Sequence, residues 1–210
     1  MKLFVATVLV LAGCSRSNNE QPQTIDFVST SEVAMTTKID VLLPDTARQH
    51  ADKVYETFAH VESTANEWRE EAVLAEVNRQ AGIQPVVLSQ ELMGLVTRGL
   101  DLGAMTGGGF DVTWAAMWGT WDFVTPKPPP DAVLLAGKVA LVDYQKVQLN
   151  QEEKTVYLPE KGMKLGLGGI AKGYALDGSA AKLRAAGVED FTITAGGQVY
   201  AGGNRGDRPW

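Results

Sequence analysis

The chain has 210 residues, of which 45% are hydrophobic, so it is long enough for one globular domain with its own core. Its formal net charge of −6 and the lack of a basic stripe argue against nucleic acid as a partner. A single cysteine excludes a disulfide within the chain, and the two histidines show no zinc-site spacing.

The first residues have the pattern of an exported lipoprotein. The apolar run Leu3–Ala12 has the length of a signal-peptide core and is too short to span a membrane. Leu-Ala-Gly-Cys at positions 11–14 is typical of a lipobox, so we expect residues 1–13 to be a signal peptide and Cys14 to carry a lipid. Residues 14–24 predict a flexible tether that holds the domain on the periplasmic side of a bacterial cell envelope. The alternatives are a buried or free thiol, or an ordinary signal peptide cleaved elsewhere.

Residues 25–210 predict one domain. The expected elements are strands at Ile25–Val33 and Lys38–Leu43, a helix capped by Asp45 and running to about Ala65, a helix capped by Ser89 and stopped by Gly107–Gly109, a short helix after Asp131, a hairpin of Val147–Asn150 and Thr155–Leu158, a helix over Ile170–Ala186, and strands at Phe191–Thr194 and Val199–Ala201. Strands and helices do not alternate regularly, which predicts an α+β fold, a mixed sheet with packed helices, rather than a parallel doubly wound sheet.

The segment from Lys164 to Gly187 carries the strongest functional signal. A cluster of glycines precedes Lys172 and a predicted helix. Glycine lets the backbone approach a ligand closely, and the N–H groups at a helix start favour anions. This combination suits a nucleotide pyrophosphate. The alternative is a tight strand-to-helix turn with a solvated lysine.

Four blocks of the sequence resemble one family in the family's own order. The run LGLGGIAKGYALD at 165–177 is similar to LDLGGIAKGYAVD, and GGGFDVT at 107–113, followed by WGTWDF, is similar to TGGAFDPTVGPLWGLWGF. Asn66-Glu67-Trp68 is followed by Asn78 ten residues after Trp68, which resembles the family's spacing between an aromatic residue and the run SELSRLN. AMTT at 34–37 resembles AMGT. From about Val33 to its last residue, the chain resembles the FAD:protein FMN transferases, or ApbE-type flavin transferases.

The resemblance implies an enzyme that binds FAD and a divalent metal, usually Mg²⁺. Such an enzyme transfers FMN from FAD to a threonine or serine hydroxyl of a target protein and releases AMP; some members instead hydrolyse FAD to FMN and AMP. Both are phosphoryl transfers, which require neutralised phosphate charge and an acceptor positioned in line. The expected acceptor is a membrane electron-transfer protein.

By motif position, the resemblance also implies the site residues. The implied FAD-binding residues are Met35, Trp68, Gly109, Phe110, Asp111, Gly166 and Lys172, and the implied metal ligand is the backbone carbonyl of Gly169. The alternatives are core positions for Met35 and Trp68, a turn or cap for Asp111, and a solvent-facing Lys172. The spacing of four further aromatic residues predicts a packing cluster in the core: Trp114, Trp118, Trp121 and Phe123.

The chain departs from the family pattern in three respects. Gly166 stands where the family often has aspartate, and Thr36 replaces a glycine. The chain stops at Trp210, where the family continues into an Asp/Thr-containing metal site, so we expect a C-terminally truncated protein. One alternative is therefore a non-catalytic, lipid-anchored flavin-binding remnant. Another is a Rossmann-type site at 166–171, although the acidic residue expected at the end of the next strand is missing.

Overall fold

The structure, a computed structural model, describes residues 25–122, 124–125 and 128–210. Its strands are β1 (Phe27–Ala34), β2 (Thr37–Pro44), β3 (Val86–Val87), β4 (Gln148–Asn150), β5 (Thr155–Tyr157), β6 (Phe191–Ala195) and β7 (Gln198–Gly202). Its α-helices are α1 (Ala51–Thr64), α2 (Val73–Arg79), α3 (Gln90–Met105), α4 (Ala132–Val139) and α5 (Gly168–Ala185). Within the described ranges, no helix is long and apolar enough to cross a membrane. The predicted signal peptide, Cys14 and the tether lie outside the described residues.

A four-stranded sheet in the order β1-β2-β6-β7 forms one layer of the domain. Successive side chains of a strand face opposite sides, so alternate residues of β2 enter the core. Ile39, Val41 and Leu43 are accordingly at most 1% exposed. Helices α1 and α5 pack against each other and against this sheet. They form a second layer, and the hydrophobic core lies between the two layers.

The α+β prediction is confirmed. A second, smaller sheet has the order β3-β5-β4, and every strand pair in the described residues is antiparallel, where the sequence predicted a mixed sheet. Strand β6 follows α5 but pairs antiparallel with β2. A Rossmann unit needs a parallel strand at this point, so that alternative is wrong.

Of the two predicted helix caps, Asp45 and Ser89, the one at Ser89 is confirmed. Ser89 Oγ accepts a hydrogen bond from the Leu92 N–H at 3.1 Å and caps α3. Asp131 Oδ1 accepts from the N–H groups of Val133 and Leu134 and caps α4. Short polar side chains at these positions satisfy backbone donors that have no partner within the helix.

The predicted cap at Asp45 is wrong. Asp45–His50 form a 3₁₀ helix that precedes α1, and the residue at the N-cap position is Pro44. The Asp45 N–H donates to the Asp26 carbonyl at 2.8 Å, and its carboxylate pairs with Arg48 at 3.4 Å. The backbone N–H and the carboxylate of Asp45 both have other partners, and the α-helix begins five residues later than predicted, at Ala51.

The predicted core position is wrong for Trp114 and Trp121, while Trp118 is half-buried. Trp114 is 41% exposed and Trp121 is 46% exposed, whereas Phe123 lies outside the described residues. The 3₁₀ helix Val112–Met117 buries its small side chains instead, among them Ala115 and Ala116. Tight packing at those small residues turns the neighbouring indoles outward.

Candidate functional site

The glycine-rich turn before α5 is held by hydrogen bonds on two sides. Asn78, on α2, clamps Leu165: its Nδ2 donates to the Leu165 carbonyl at 3.0 Å, and its Oδ1 accepts from the Leu165 N–H at 2.7 Å. On the other side, the Gly166 N–H donates to the Val112 carbonyl at 2.8 Å. These bonds fix the backbone that leads into α5, because buried peptide groups need such partners.

Gly166 lies buried beneath Trp114. Trp114 Nε1 donates to the Gly166 carbonyl at 3.3 Å, and a Cβ at position 166 would lie 3.0 Å from Ala115 Cβ and 3.1 Å from Trp114 Nε1. Any larger residue therefore requires Trp114 to move. Because both backbone polar groups of Gly166 have protein partners, its visible role is to place the turn. Its contact with FAD stays a prediction.

The first turn of α5 leaves backbone donors available for an anion. The residue at the N-cap position, Leu167, provides no side-chain cap. The first N–H groups bonded to its carbonyl are those of Ile170 and Ala171, at 3.0 and 2.9 Å. The N–H groups of Gly168 and Gly169 precede this first helical bond and have no partner within the helix. With the helix dipole, they favour negative charge at this end of α5.

The second motif block supports this turn by packing. A Cβ at Gly169 would lie 2.9 Å from Phe110 Cε2, so the aromatic ring rests directly on the glycine. The Phe110 N–H donates to Thr106 Oγ1 at 2.9 Å, and a Cβ at Gly109 would lie 3.2 Å from the Thr106 carbonyl. The backbone therefore turns tightly before the ring. Contacts of Gly109 and Phe110 with FAD stay predictions.

Asp111 acts as a cap, which is the alternative considered for it. Its Oδ1 accepts from the Thr113 N–H at 2.7 Å and from Thr113 Oγ1 at 2.6 Å. Its Oδ2 accepts from the Tyr144 N–H at 2.9 Å. With three protein donors around its carboxylate, Asp111 joins the 3₁₀ helices Val112–Met117 and Tyr144–Lys146, and its hydrogen bond to the nucleotide stays a prediction.

Three predicted residues meet in one cavity of about 170 Å³, which we call the Lys172 cavity. These residues, Met35, Trp68 and Lys172, come from three different motif blocks. The remaining lining residues are Thr36, Glu62, Ala65, Asn66, Glu67, Gly168 and Ala171. Among the described residues, none forms an ion pair with Lys172. Its ammonium group is therefore available to a ligand beside the start of α5.

Met35 reaches this cavity from a strained turn between β1 and β2. Met35 and Thr36 have φ angles of 50° and 57°, which are left-handed values that a β-branched residue rarely adopts. The Met35 N–H donates to Glu62 Oε2 at 3.0 Å, and Thr36 Oγ1 donates to the Met35 carbonyl at 2.7 Å. The departure from glycine at position 36 thus costs backbone strain that these hydrogen bonds help to offset.

Trp68 also borders a larger cavity of about 560 Å³, which we call the Trp118 cavity. Trp68 is 67% exposed and stacks on Trp118, with ring centroids 3.8 Å apart and planes at 20°. Trp114 meets Trp118 edge-on at 5.7 Å, and Lys164 Nζ lies 5.8 Å from the centre of the Trp118 ring. The indole N–H of Trp118 is buried without a hydrogen-bond partner in the described part of the chain. Trp118, predicted to lie in the core, therefore lines a surface cavity.

A third hollow of about 660 Å³, the α3–α5 groove, lies between those two helices and includes Gly169. Glu91 at its edge accepts a hydrogen bond from the Tyr174 hydroxyl at 3.0 Å and pairs with His60 Nε2 at 2.7 Å. Burial acts to raise the pKa of Glu91, but hydrogen bonds from His60 and Tyr174 outweigh it and leave this pKa below its ordinary value.

The described residues alone do not fit a magnesium ion. Hard cations need several oxygen ligands, and the described ranges contain no group of three or more His, Cys, Asp or Glu side chains arranged around one point. Gly169, the predicted metal ligand, would contribute one carbonyl in the first turn of α5. Metal binding at Gly169 therefore stays a prediction.

Three residues of the site have roles that the sequence does not reveal. The motif spacing draws attention to Asn78, but its clamp on Leu165 joins residues 87 positions apart. Glu62, on α1, accepts the hydrogen bond of the Met35 N–H, whereas its sequence context predicts only a solvent-exposed residue of a helix. Glu67 belongs to a matching block, yet only the structure places its carboxylate beside the glycine turn.

Comparison with known proteins agrees with the resemblance. The model of the ApbE family matches residues 35–210. An FAD:protein FMN transferase from Treponema pallidum (strain Nichols) is 30% identical over 165 residues, which are 74% of this chain and 45% of that protein. The FAD:protein FMN transferase of Rhodobacter capsulatus is 38% identical over 126 residues, which are 57% of this chain and 23% of that protein.

Solved structures show the same fold. The flavin transferase ApbE from Vibrio cholerae superposes with a TM-score of 0.80 at 21% identity, over 89% of this chain and 62% of that one. The apbe protein of Thermotoga maritima MSB8 gives 0.77 at 24% identity, over 88% and 62%. The chain spans less than half the length of the Treponema and Rhodobacter relatives. Because the family model covers most of the chain, the chain belongs to the ApbE family.

Proposed function

We propose that this chain is the flavin-nucleotide-binding part of an FAD:protein FMN transferase. The observation that carries the proposal is the meeting of Met35, Trp68 and Lys172 in one cavity beside the uncapped start of α5. Lys172 and the free helix N–H groups offer positive potential to a pyrophosphate, and Trp68 offers an aromatic face to a flat ring. The similarity to the FAD:protein FMN transferases of Treponema pallidum and Rhodobacter capsulatus supports the same activity.

In the proposed reaction, a threonine or serine hydroxyl of an acceptor protein attacks the FMN phosphorus of FAD. A phosphoester forms between FMN and the acceptor oxygen, the phosphoanhydride bond breaks, AMP leaves, and the hydroxyl proton is released. Lys172 stabilises the negative charge of the pyrophosphate during this transfer. Trp68 and Met35 hold the nucleotide so that its phosphorus stays in line with the acceptor.

Magnesium is part of this proposal only as an expectation from the family. A divalent metal ion would neutralise phosphate charge as a Lewis acid. The described residues supply no complete set of ligands for it, so no step of the reaction is assigned to it here.

Flavin binding is tested with a matched pair of variants on α5. Lys172→Met removes the ammonium group from the Lys172 cavity, whereas Lys182→Met changes an exposed lysine in the last turn of the same helix. We expect Lys172→Met to weaken FAD binding about tenfold, as for a lost charge-assisted contact, and Lys182→Met to leave it unchanged. Quenching of flavin fluorescence measures the affinity. Equal affinity in both variants would contradict the proposed cavity.

Transfer is tested by incubating the 210-residue chain with FAD, Mg²⁺ and a threonine-containing acceptor peptide. Release of AMP together with covalent flavin fluorescence on the peptide supports FMN transfer. AMP release without labelled peptide indicates FAD hydrolysis. Flavin binding with neither product favours the second candidate, a non-catalytic flavin-binding protein, which the lack of an acidic cluster among the described residues also favours.

We further propose a periplasmic location with a lipid anchor at Cys14, and an acceptor among the membrane electron-transfer proteins. The apolar run Leu3–Ala12 and the Leu-Ala-Gly-Cys sequence at 11–14 support the anchor. Metabolic labelling with palmitate should mark the wild-type chain and fail to mark Cys14→Ser. Labelling of both forms would contradict the anchor.

A further inference from the structure

Glu67 occupies the place where the two cavities around Trp68 meet. It lines both the Lys172 cavity and the Trp118 cavity, and among the described residues only Trp68 shares this position. The Lys172 cavity, at about 170 Å³, is too small for a dinucleotide, whereas the adjoining Trp118 cavity has about 560 Å³. A ligand of that size has room to extend past Glu67 into the Trp118 cavity.

The backbone at Glu67 is fixed by its neighbour. Asn66 Oδ1 accepts hydrogen bonds from the N–H groups of Trp68 and Arg69, at 2.8 and 3.0 Å, and closes a tight turn around Glu67. Glu67 Oε1 lies 4.0 Å from the position that a Cβ on Gly168 would occupy. Glycine at 168 therefore leaves open space between this carboxyl group and the start of α5.

The carboxyl group of Glu67 is half-buried and, apart from its own backbone N–H, has no hydrogen-bond partner among the described residues. Among the described residues, no cation forms an ion pair with it and no other residue donates a hydrogen bond to it. Burial raises its pKa, and a hydrogen bond with its own backbone only partly opposes that effect. A polar group that loses water without gaining a partner is costly, which is typical of groups that meet a ligand.

The charge of Glu67 decides which part of a ligand fits beside it. A phosphate would be repelled by the carboxylate and is better placed by Lys172 and the free N–H groups of α5. A hydroxyl or N–H group, in contrast, would supply the missing donor. The order Trp68, Glu67, Lys172 then offers a ring surface, a hydrogen-bond acceptor and a cation in succession. A flavin nucleotide has the matching order of ring, ribityl hydroxyls and phosphate.

We propose that Glu67 is a specificity-determining residue whose carboxylate accepts hydrogen bonds from the ribityl hydroxyls of the flavin nucleotide. This inference rests on the proposed flavin binding. It places the hydrogen-bond acceptor for the ribityl chain in the loop between α1 and α2. It also adds Glu67 to the residues implied by the family motifs.

The test compares two flavins with the same ring system, riboflavin and lumiflavin, because lumiflavin carries a methyl group in place of the ribityl chain. Affinities of the 210-residue chain are measured by quenching of flavin fluorescence. We expect Glu67→Ala to weaken riboflavin binding about tenfold and to leave lumiflavin binding unchanged. Glu67→Gln, which keeps an acceptor oxygen, should lose less. Glu71→Ala, at an exposed carboxylate of the same loop that lines neither cavity, should bind both flavins like the wild type.

Each outcome decides the inference. Unchanged riboflavin affinity in Glu67→Ala overturns it, and so does an equal loss for both flavins, which would show that Glu67 acts only by positioning Trp68. Far-UV circular dichroism checks that the variants are folded. If Glu67→Ala does not fold, Glu67→Gln carries the same comparison with side-chain size preserved. If the wild type binds FAD but neither free flavin, the inference is overturned while the proposed function stands. If the wild type does not bind FAD either, the proposed function itself is overturned.

Discussion

The first two turns of α5 border two hollows of opposite character. In the Lys172 cavity, Lys172 and Glu67 have no ion-pair partner within the described residues. On the other side, the α3–α5 groove has an apolar wall that includes Leu95 and Ile170. Its edge carboxylate, Glu91, is already satisfied by a tyrosine and a histidine.

This difference distinguishes a candidate binding site from a structural hydrogen-bond network on the same helix. Charged groups without partners cost stability and persist where a ligand supplies the partner. A satisfied polar network such as that around Glu91 instead ties α1, α3 and α5 together. The Lys172 cavity is thus the better candidate for nucleotide binding, although the groove is the larger hollow.

Asn78→Ala should have the largest effect of the variants, because Asn78 holds the glycine-rich turn beside the Lys172 cavity. It removes both hydrogen bonds to Leu165 and leaves those backbone groups unpaired, so the free energy of unfolding should fall by about 2–4 kcal/mol. Urea denaturation measures the loss, and FAD affinity should fall as the turn loosens. The control, Gln80→Ala, removes only a hydrogen bond to Glu76 and should cost less than about 1 kcal/mol. Equal effects would show that the clamp does not hold the turn.

Two glycines on the groove side of α5 should respond with opposite signs. Gly169→Ala forces a Cβ against the Phe110 ring, 2.9 Å away, and should cost about 1–3 kcal/mol. Gly173→Ala meets no atom within 4 Å and should stabilise the helix by up to about 1 kcal/mol. Thermal unfolding of both variants measures the difference. A stabilised Gly169→Ala would show that Phe110 does not rest on the helix start.

Thr36→Gly tests the strain in the wall of the Lys172 cavity. Relief of a positive φ at a β-branched residue, less the entropy cost of glycine, should raise the free energy of unfolding by about 0.5–1 kcal/mol. Chemical denaturation is the measurement. Thr37→Gly is the matched control, because residue 37 already lies in β2 and glycine there should destabilise. A loss of stability in Thr36→Gly would mean that the Thr36 hydroxyl outweighs the strain.

The smallest expected effect concerns the pH dependence of the groove. The pKa of Glu91 is lower in the folded protein than its ordinary value, so the unfolded chain binds more protons in the acid range. The stabilisation is present above the ordinary carboxyl pKa and is lost as pH falls through the lowered one. The difference in melting temperature between about pH 7 and about pH 3.5 should therefore be smaller for Glu91→Gln than for the wild type. An identical pH dependence would contradict the shift.

Much of the fold is predictable from local pattern. The helix capped by Ser89, the hairpin of β4 and β5, and the strands β6 and β7 lie within one or two residues of their predicted ranges. Capping side chains, turn residues and alternating burial act over a few positions, so a single sequence shows them. The predicted cap at Asp45 is wrong because the hydrogen bond to Asp26 and the ion pair with Arg48 decided the role of this residue.

The sequence by itself determined the family, the α+β class and the motif blocks, because these depend on residue identity and short spacing. Only the tertiary structure decided which role each residue of these blocks has. It placed Met35, Trp68 and Lys172 in one cavity, turned Asp111 into a cap, and brought the Glu67 carboxylate to the start of α5. The physical reason is that a partner for a buried or charged group is chosen in space, among residues far apart in the chain, and local periodicity carries no record of that choice.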